Sequence, residues 1–165
     1  MATATKTRLL DVKIDISKDA RETLVEILNQ QLADTADLQS QLKQAHWNVK
    51  GLGFQQVHLL FDAQAEVFED FVDLIAERVT LLGGVAHGTV RMAASASTLE
   101  EFPDGPVQVQ EALKLVRDRV AAYAKSNRKA MEAVSKLDER TTEDLLTEVS
   151  RGTDQQLYFL ESHLL

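Results

Sequence analysis

From Ser17 onward the apolar residues recur three or four positions apart. Leu24, Ile27, Leu28, Leu32, Ala36, Leu38, Leu42 and Ala45 mark one face of a long helix. Ser17 offers an N-cap and Gly51 a C′ stop, which makes the helix about 50 Å long. A second helix is predicted over residues 55–82. Its apolar positions, among them Leu60, Phe61, Val67, Phe68, Phe71, Val72, Ile75 and Val79, cover an arc wider than one stripe. That width predicts contact on two sides, once within the subunit and once with a partner. Gly83-Gly84 end this helix. Residues 85–106 then form a connection rich in Ala, Ser and Gly, in which Ser97-Thr98-Leu99-Glu100 reads as a capping box opening a short helix. A connection of this length can return the chain along the bundle, leaving the flanking helices parallel. A third helix follows over residues 107–137, and a fourth, capped by Thr141, runs to about His163. The prediction is an all-α four-helix bundle with one long crossover containing a short helix between helices two and three.

The first sixteen residues break this period. Val12, Ile14 and Ile16 alternate with Lys13 and Asp15, the pattern of an extended segment with one face covered. The predicted organisation is therefore an N-terminal arm over residues 1–16 and a bundle domain over residues 17–165.

Composition narrows the function classes. The 165 residues suit a single domain, and the absence of cysteine removes disulfide scaffolds, thiolate metal sites and thiol nucleophiles together. No stretch approaches the roughly 18 consecutive apolar residues of a membrane span. The start lacks the apolar core of a secretory signal, so a cytoplasmic protein is expected. A net charge of −8, from 26 acidic against 18 basic residues, repels rather than recruits a polyanion.

The candidate chemistry clusters around the first helical hairpin. His46 ends helix one and His58 begins helix two, so the turn brings them to the same end. His58 and Asp62 share a helix face, as do Asp73 and Glu77. Imidazole and carboxylate without thiolate suit Fe(II), Mn(II) or Zn(II). His58 and Asp73 stand fifteen residues apart, hence about 22 Å along one helix, whereas metal ligands sit about 2 Å from the ion. One chain cannot close both groups on a single ion. Fifteen steps of about 100° nevertheless return the side chains to within about 60° of one face. Two copies packed antiparallel across a two-fold axis would set the histidines of each against the acids of the other. A helix surface that is merely solvated would account for the acids equally well, and interface packing for His46-Trp47.

These residues also carry a resemblance. Ala45-His46-Trp47-Asn48-Val49-Lys50-Gly51, Phe54 with His58 and Asp62, Asp73 with Glu77-Arg78, and Leu82-Gly83-Gly84 resemble the signature of the Dps family, the mini-ferritins. The likeness extends through Ser150-Arg151 and Tyr158-Phe159-Leu160-Glu161. It implies a ferritin-like fold assembled from two-fold dimers into a hollow homododecamer. It further implies ferroxidase centres at the two-fold interfaces, with His46, His58 and Asp62 from one subunit and Asp73 and Glu77 from its partner. There Fe(II) would be oxidised, preferably by hydrogen peroxide, and ferric mineral stored in the cavity, with Zn(II) as a competitor for the same ligands. Ferritin-like bundles with an internal dinuclear centre carry Glu-x-x-His motifs, and this sequence has none, which favours the interface. Asp62 reads as half ligand, half orienting group. Trp47, adjacent to the site, is either a radical quencher or a packing anchor.

Near the start of helix four, Glu139, Asp144 and Glu148 fall where the family lines entry pores with carboxylates, although acids there also complement a helix dipole. Lys6, Arg8 and Lys13 against Asp11 and Asp15 make a thin basic arm, so DNA binding is expected to be weak or absent. A protein that coats nucleoid DNA, with incidental iron chemistry, is the rival reading. His87 reads as a polar loop residue and His163 as a C-terminal helix cap.

Overall fold

A computed structural model describes residues 9–165. The first eight residues of the predicted arm, including Lys6 and Arg8, lie outside the described residues. Five helices and two short strands follow one another: α1 (Lys18–Asn48), β1 (Val49–Lys50), α2 (Phe54–Leu81), α3 (Val90–Ala96), β2 (Val107–Gln108), α4 (Val109–Ser135) and α5 (Arg140–Ser162). The four long helices, α1, α2, α4 and α5, form the bundle. Leu24, Leu28, Leu32, Phe61, Phe68 and Tyr123 meet in its centre and are fully buried. Each such side chain contributes about 1.5–3 kcal/mol through the apolar surface it removes from water.

The predicted helices form because their stripes have complementary partners, and their ends are set by local chemistry. Ser17 caps α1, its hydroxyl accepting from the amide of Ala20 at 3.3 Å. Gly83, at φ +83°, closes α2: its amide donates to the Thr80 carbonyl and that of Gly84 to Val79, the paired bonds of a Schellman motif. The absent side chain also matters at Gly84, where a Cβ would lie 2.6 Å from a methyl of Val25. The segment before α1 alternates as predicted from residue 12 to 16, with Val12, Ile14 and Ile16 half-covered and Lys13 and Asp15 exposed. It is held by Leu10, whose amide donates to the Gly83 carbonyl, and by Arg21, whose guanidinium donates to the carbonyls of Leu10 and Leu82.

Four local expectations are corrected. Helix α1 stops at Asn48, not at Gly51, because Val49-Lys50 turn extended and pair in parallel with Val107-Gln108. For the same reason α4 starts at Val109 rather than Val107. This two-stranded clip ties the end of α1 to the start of α4 and makes α2 and α4 parallel. The short crossover helix precedes the capping sequence read at Ser97. Thr89 caps it, accepting from the Met92 amide at 3.3 Å, and Ser97 ends it. Ser97 and Thr98 instead bind α1: Ser97 donates to Asp37, and the Thr98 amide donates to the fully buried Asp34 at 2.7 Å. Finally, α5 is capped by Glu139, whose carboxylate accepts from the amides of Thr141 and Thr142 at 3.0 and 2.8 Å. Among the described residues no helix is long and apolar enough to cross a membrane.

Candidate metal centre

The hairpin between α1 and α2 builds the histidine end of the site. Gly51 and Gly53, at φ +113° and +81°, turn the chain sharply enough for α2 to start beside the last turn of α1. His46 and His58 then stack face to face, ring centres 3.7 Å apart and planes 18° from parallel. Their Nδ1 atoms engage reciprocally: His46 Nδ1 meets the His58 carbonyl at 2.7 Å, and His58 Nδ1 meets the His46 carbonyl at 2.8 Å. A carbonyl can only accept, so each Nδ1 carries a proton, and the nitrogen left to bind a metal in the neutral form of each ring is Nε2. This is the arrangement that orients a histidine for a metal before the metal arrives. Phe54 also stacks on His58, ring centres 4.9 Å apart.

Asp62, one turn after His58 on α2, joins this group. Its Oδ1 is 3.8 Å from His46 Nδ1 and forms an ion pair with Lys43 of α1. The hydrogen bond from Lys43 holds the Asp62 carboxyl below its ordinary range; burial opposes this, and the Lys43 charge adds to it, as either histidine does when protonated.

Asp73 and Glu77 are exposed and one turn apart on the same unbroken helix, toward its other end. The structure therefore brings together His46, His58 and Asp62, and separately Asp73 and Glu77, but not the two groups. Among the described residues, no group of three His, Asp or Glu side chains within the chain could hold a metal ion. Trp47, next to His46 on α1, is 61% exposed.

Of the three acids read as pore residues, Asp144 and Glu148 are exposed on α5 and border a groove shared with Glu77. Glu139 has another task. It is 9% exposed, caps α5, and accepts from Arg78 Nη2 at 2.9 Å, while Arg78 Nε donates to Thr142 Oγ1. Burial works to raise the Glu139 carboxyl, but hydrogen bonds from Thr142 and the Arg78 guanidinium together hold it below its ordinary range. Both oxygens are engaged, so Glu139 is a clamp between α2 and α5 and not a free lining carboxylate. His87 is an exposed loop residue whose amide donates to Asn29, and the His163 ring binds the Phe159 carbonyl at the end of α5.

Lys43 escaped the sequence reading, as did the stacking role of Phe54 and the pairing of Arg78 with Glu139. Lys43 lies three residues before His46 and so on its helix face, a signal available from spacing alone. That it meets Asp62 follows only from the register of the hairpin.

Comparison with known proteins agrees with this architecture. A family model described as a ferritin-like domain matches residues 25–165. The DNA protection during starvation protein of Agrobacterium fabrum is 37% identical over 152 residues, covering 92% of this chain and 94% of that protein. The solved structure of DpsC from Streptomyces coelicolor superposes with a TM-score of 0.92 at 31% identity, over 100% of this chain and 96% of that one. Dps from Microbacterium arborescens in the high iron form superposes with a TM-score of 0.84 at 28% identity, over 90% and 96% of the two chains. The likeness runs through the hairpin that carries the histidines and the helix that carries the acids, and the chain belongs to the Dps family of ferritin-like proteins.

Proposed function

We propose that this protein is an iron-detoxifying ferroxidase that stores the product as mineral inside a homododecameric cage. Two antiparallel subunits each contribute half of two identical centres: His46, His58 and Asp62 from one, Asp73 and Glu77 from the other. The observation that carries this reading is the reciprocal histidine pair, which ties up both Nδ1 atoms and leaves both Nε2 atoms to bind, with the Asp62 carboxylate 3.8 Å from the His46 ring. Such a donor set is incomplete for a tightly held metal. The acids that would complete it stand about 22 Å (Asp73) and about 28 Å (Glu77) from His58 along the same helix, within reach only across a two-fold axis.

The chemistry follows from the ligand types. Fe(II) is the substrate. Neutral imidazoles hold it without fixing the charge of the site, and the partner's carboxylates favour the rise to Fe(III). With hydrogen peroxide as oxidant, two Fe(II) ions give one electron each, the O–O bond breaks, and both oxygens leave as water or mineral oxide. Reduction of the peroxide takes up two protons and hydrolysis of the two ferric ions to oxide-hydroxide releases three per iron, so the net release is two protons per iron. Fe(II) and peroxide, the reagents that together make hydroxyl radical, are consumed in one step. Zn(II) competes for the same ligands. Asp144 and Glu148, bordering the groove with Glu77, would draw Fe(II) toward the centre, and Trp47 stands close enough along α1 to quench radicals formed there. The net charge of −8 argues against strong DNA binding, the property for which the family is named.

Stopped-flow oxidation of Fe(II) by peroxide tests the reading. The unmodified protein should show a fast phase that saturates with iron per subunit. The His46→Ala/His58→Ala variant, shown to assemble equally, should lose that phase; equal rates in the two proteins would refute the assignment.

A further inference from the structure

The ion pair on Asp62 is not explained by folding alone. Lys43 and Asp62 belong to different helices and both remain about one-third exposed, 32% and 35%, so the pair is neither a core contact nor freely solvated. Its position is what matters. Each histidine has one lone pair to give, on Nε2, because each Nδ1 is tied to a backbone carbonyl. Among the described residues Asp62 is the acid that meets the histidine pair, and its Oδ1 already holds the Lys43 ammonium.

We propose that Lys43 is the resident cation of the second metal position, so that each centre takes one divalent ion tightly and admits a second only by displacing this ammonium. The inference rests on the shared centre proposed above and deepens it. In the first position His46 and His58 combine with the partner subunit's Asp73 and the partner subunit's Glu77, and Asp62 is not needed. A second ion beside the first must use Asp62, and it meets a positive charge already seated there. The exchange involves no electron: the Lys43 ammonium swings to solvent, which its exposure permits, and the incoming ion takes its oxygen. The arrangement makes the centre sequential, with one ion bound before the oxidant arrives and the other entering weakly.

Anaerobic titration with Co(II), followed by its d–d absorbance and by calorimetry, tests this on the assembled protein, with Lys43→Met, Lys43→Arg and His46→Ala/His58→Ala as variants. The unmodified protein should bind one Co(II) per centre tightly and a second on the order of 10–100-fold more weakly, the size of effect typical of groups that contact metal ligands. Lys43→Met should bring the second affinity close to the first, with a second spectral component. Lys43→Arg, which keeps the charge, should restore the separation. Matching stoichiometry and affinities in the unmodified and Lys43→Met proteins, with tight binding still lost in the histidine variant, would overturn the role of Lys43 and leave the shared centre standing. Absence of histidine-dependent binding in every protein would overturn both.

Discussion

Replacing Glu139 by glutamine keeps the shape of a buried side chain and removes its charge. In the native protein its two oxygens accept from the amides of Thr141 and Thr142 and from Arg78, at 3.0, 2.8 and 2.9 Å. The glutamine carbonyl can serve one side of this arrangement, and its amide nitrogen then faces a donor on the other. Removing one partner of a buried pair costs about 3–5 kcal/mol when the remaining charge is stranded. Arg78 keeps its bond to Thr142 Oγ1, which lowers the expected loss to about 2–4 kcal/mol. For a chain of this size that is a fall of about 5–15 °C in the melting midpoint, read by far-ultraviolet circular dichroism at one fixed protein concentration. The pH dependence supplies a second check. The folded-state pKa of Glu139 is depressed, so its stabilisation is complete above the unfolded value, near 4.3, and is lost as pH falls through the folded value. The gap between the two proteins should be widest at neutral pH and should narrow as pH falls below the unfolded value. A midpoint shift under about 2 °C at pH 7, or a gap that grows on acidification, would refute the clamp.

Gly152 of α5 faces Phe71, and a Cβ there would overlap the tip of the ring, which is itself packed edge-on against Phe68. Gly152→Ala should therefore destabilise by about 1–2 kcal/mol in chemical denaturation, despite the gain of about 1 kcal/mol in helix propensity; an increase in stability would contradict the packing described. Asp144→Asn should slow iron entry several-fold at low ionic strength, while Co(II) binding at the centre stays unchanged; equal uptake rates would remove Asp144 from the route. Plasmid mobility in a gel shift should be unaffected at about 150 mM salt, and a retarded band there would mean that charge balance misjudges this surface.

The long elements were legible because each needs an apolar stripe, and a stripe three or four residues apart survives in the sequence whatever the helix packs against. Phe54–Leu81 is the clearest instance, and its fifteen-residue spacing from His58 to Asp73 carried the argument about sharing. The short pieces failed for a common reason: tertiary partners decided them. Two residues at Val49-Lys50 leave no period to read, and they are extended only because Val107-Gln108 lies alongside. Ser97 and Thr98 have the look of a cap, yet two buried or half-buried acids of α1 claim them. Glutamate is a poor cap by preference, and Glu139 takes that place over Thr141 because Arg78 holds it there. At the site, histidine identity and spacing were visible, whereas the tautomer, the stacking and the Lys43 contact depend on how the hairpin closes.

Sharing of the centre is the claim on which the functional account stands, and co-assembly tests it most directly. One variant, His46→Ala/His58→Ala, lacks the histidine half. The other, Asp73→Asn/Glu77→Gln, lacks the acid half. Each alone should be inactive in rapid Fe(II) oxidation by peroxide. When the two are co-expressed in equal amounts and purified as mixed cages, half of the dimers are heterodimers, each with one intact centre, so about a quarter of the unmodified fast phase should return. If the fast phase stays absent in cages shown by mass spectrometry to contain both variants, the histidines and acids do not meet across the two-fold axis.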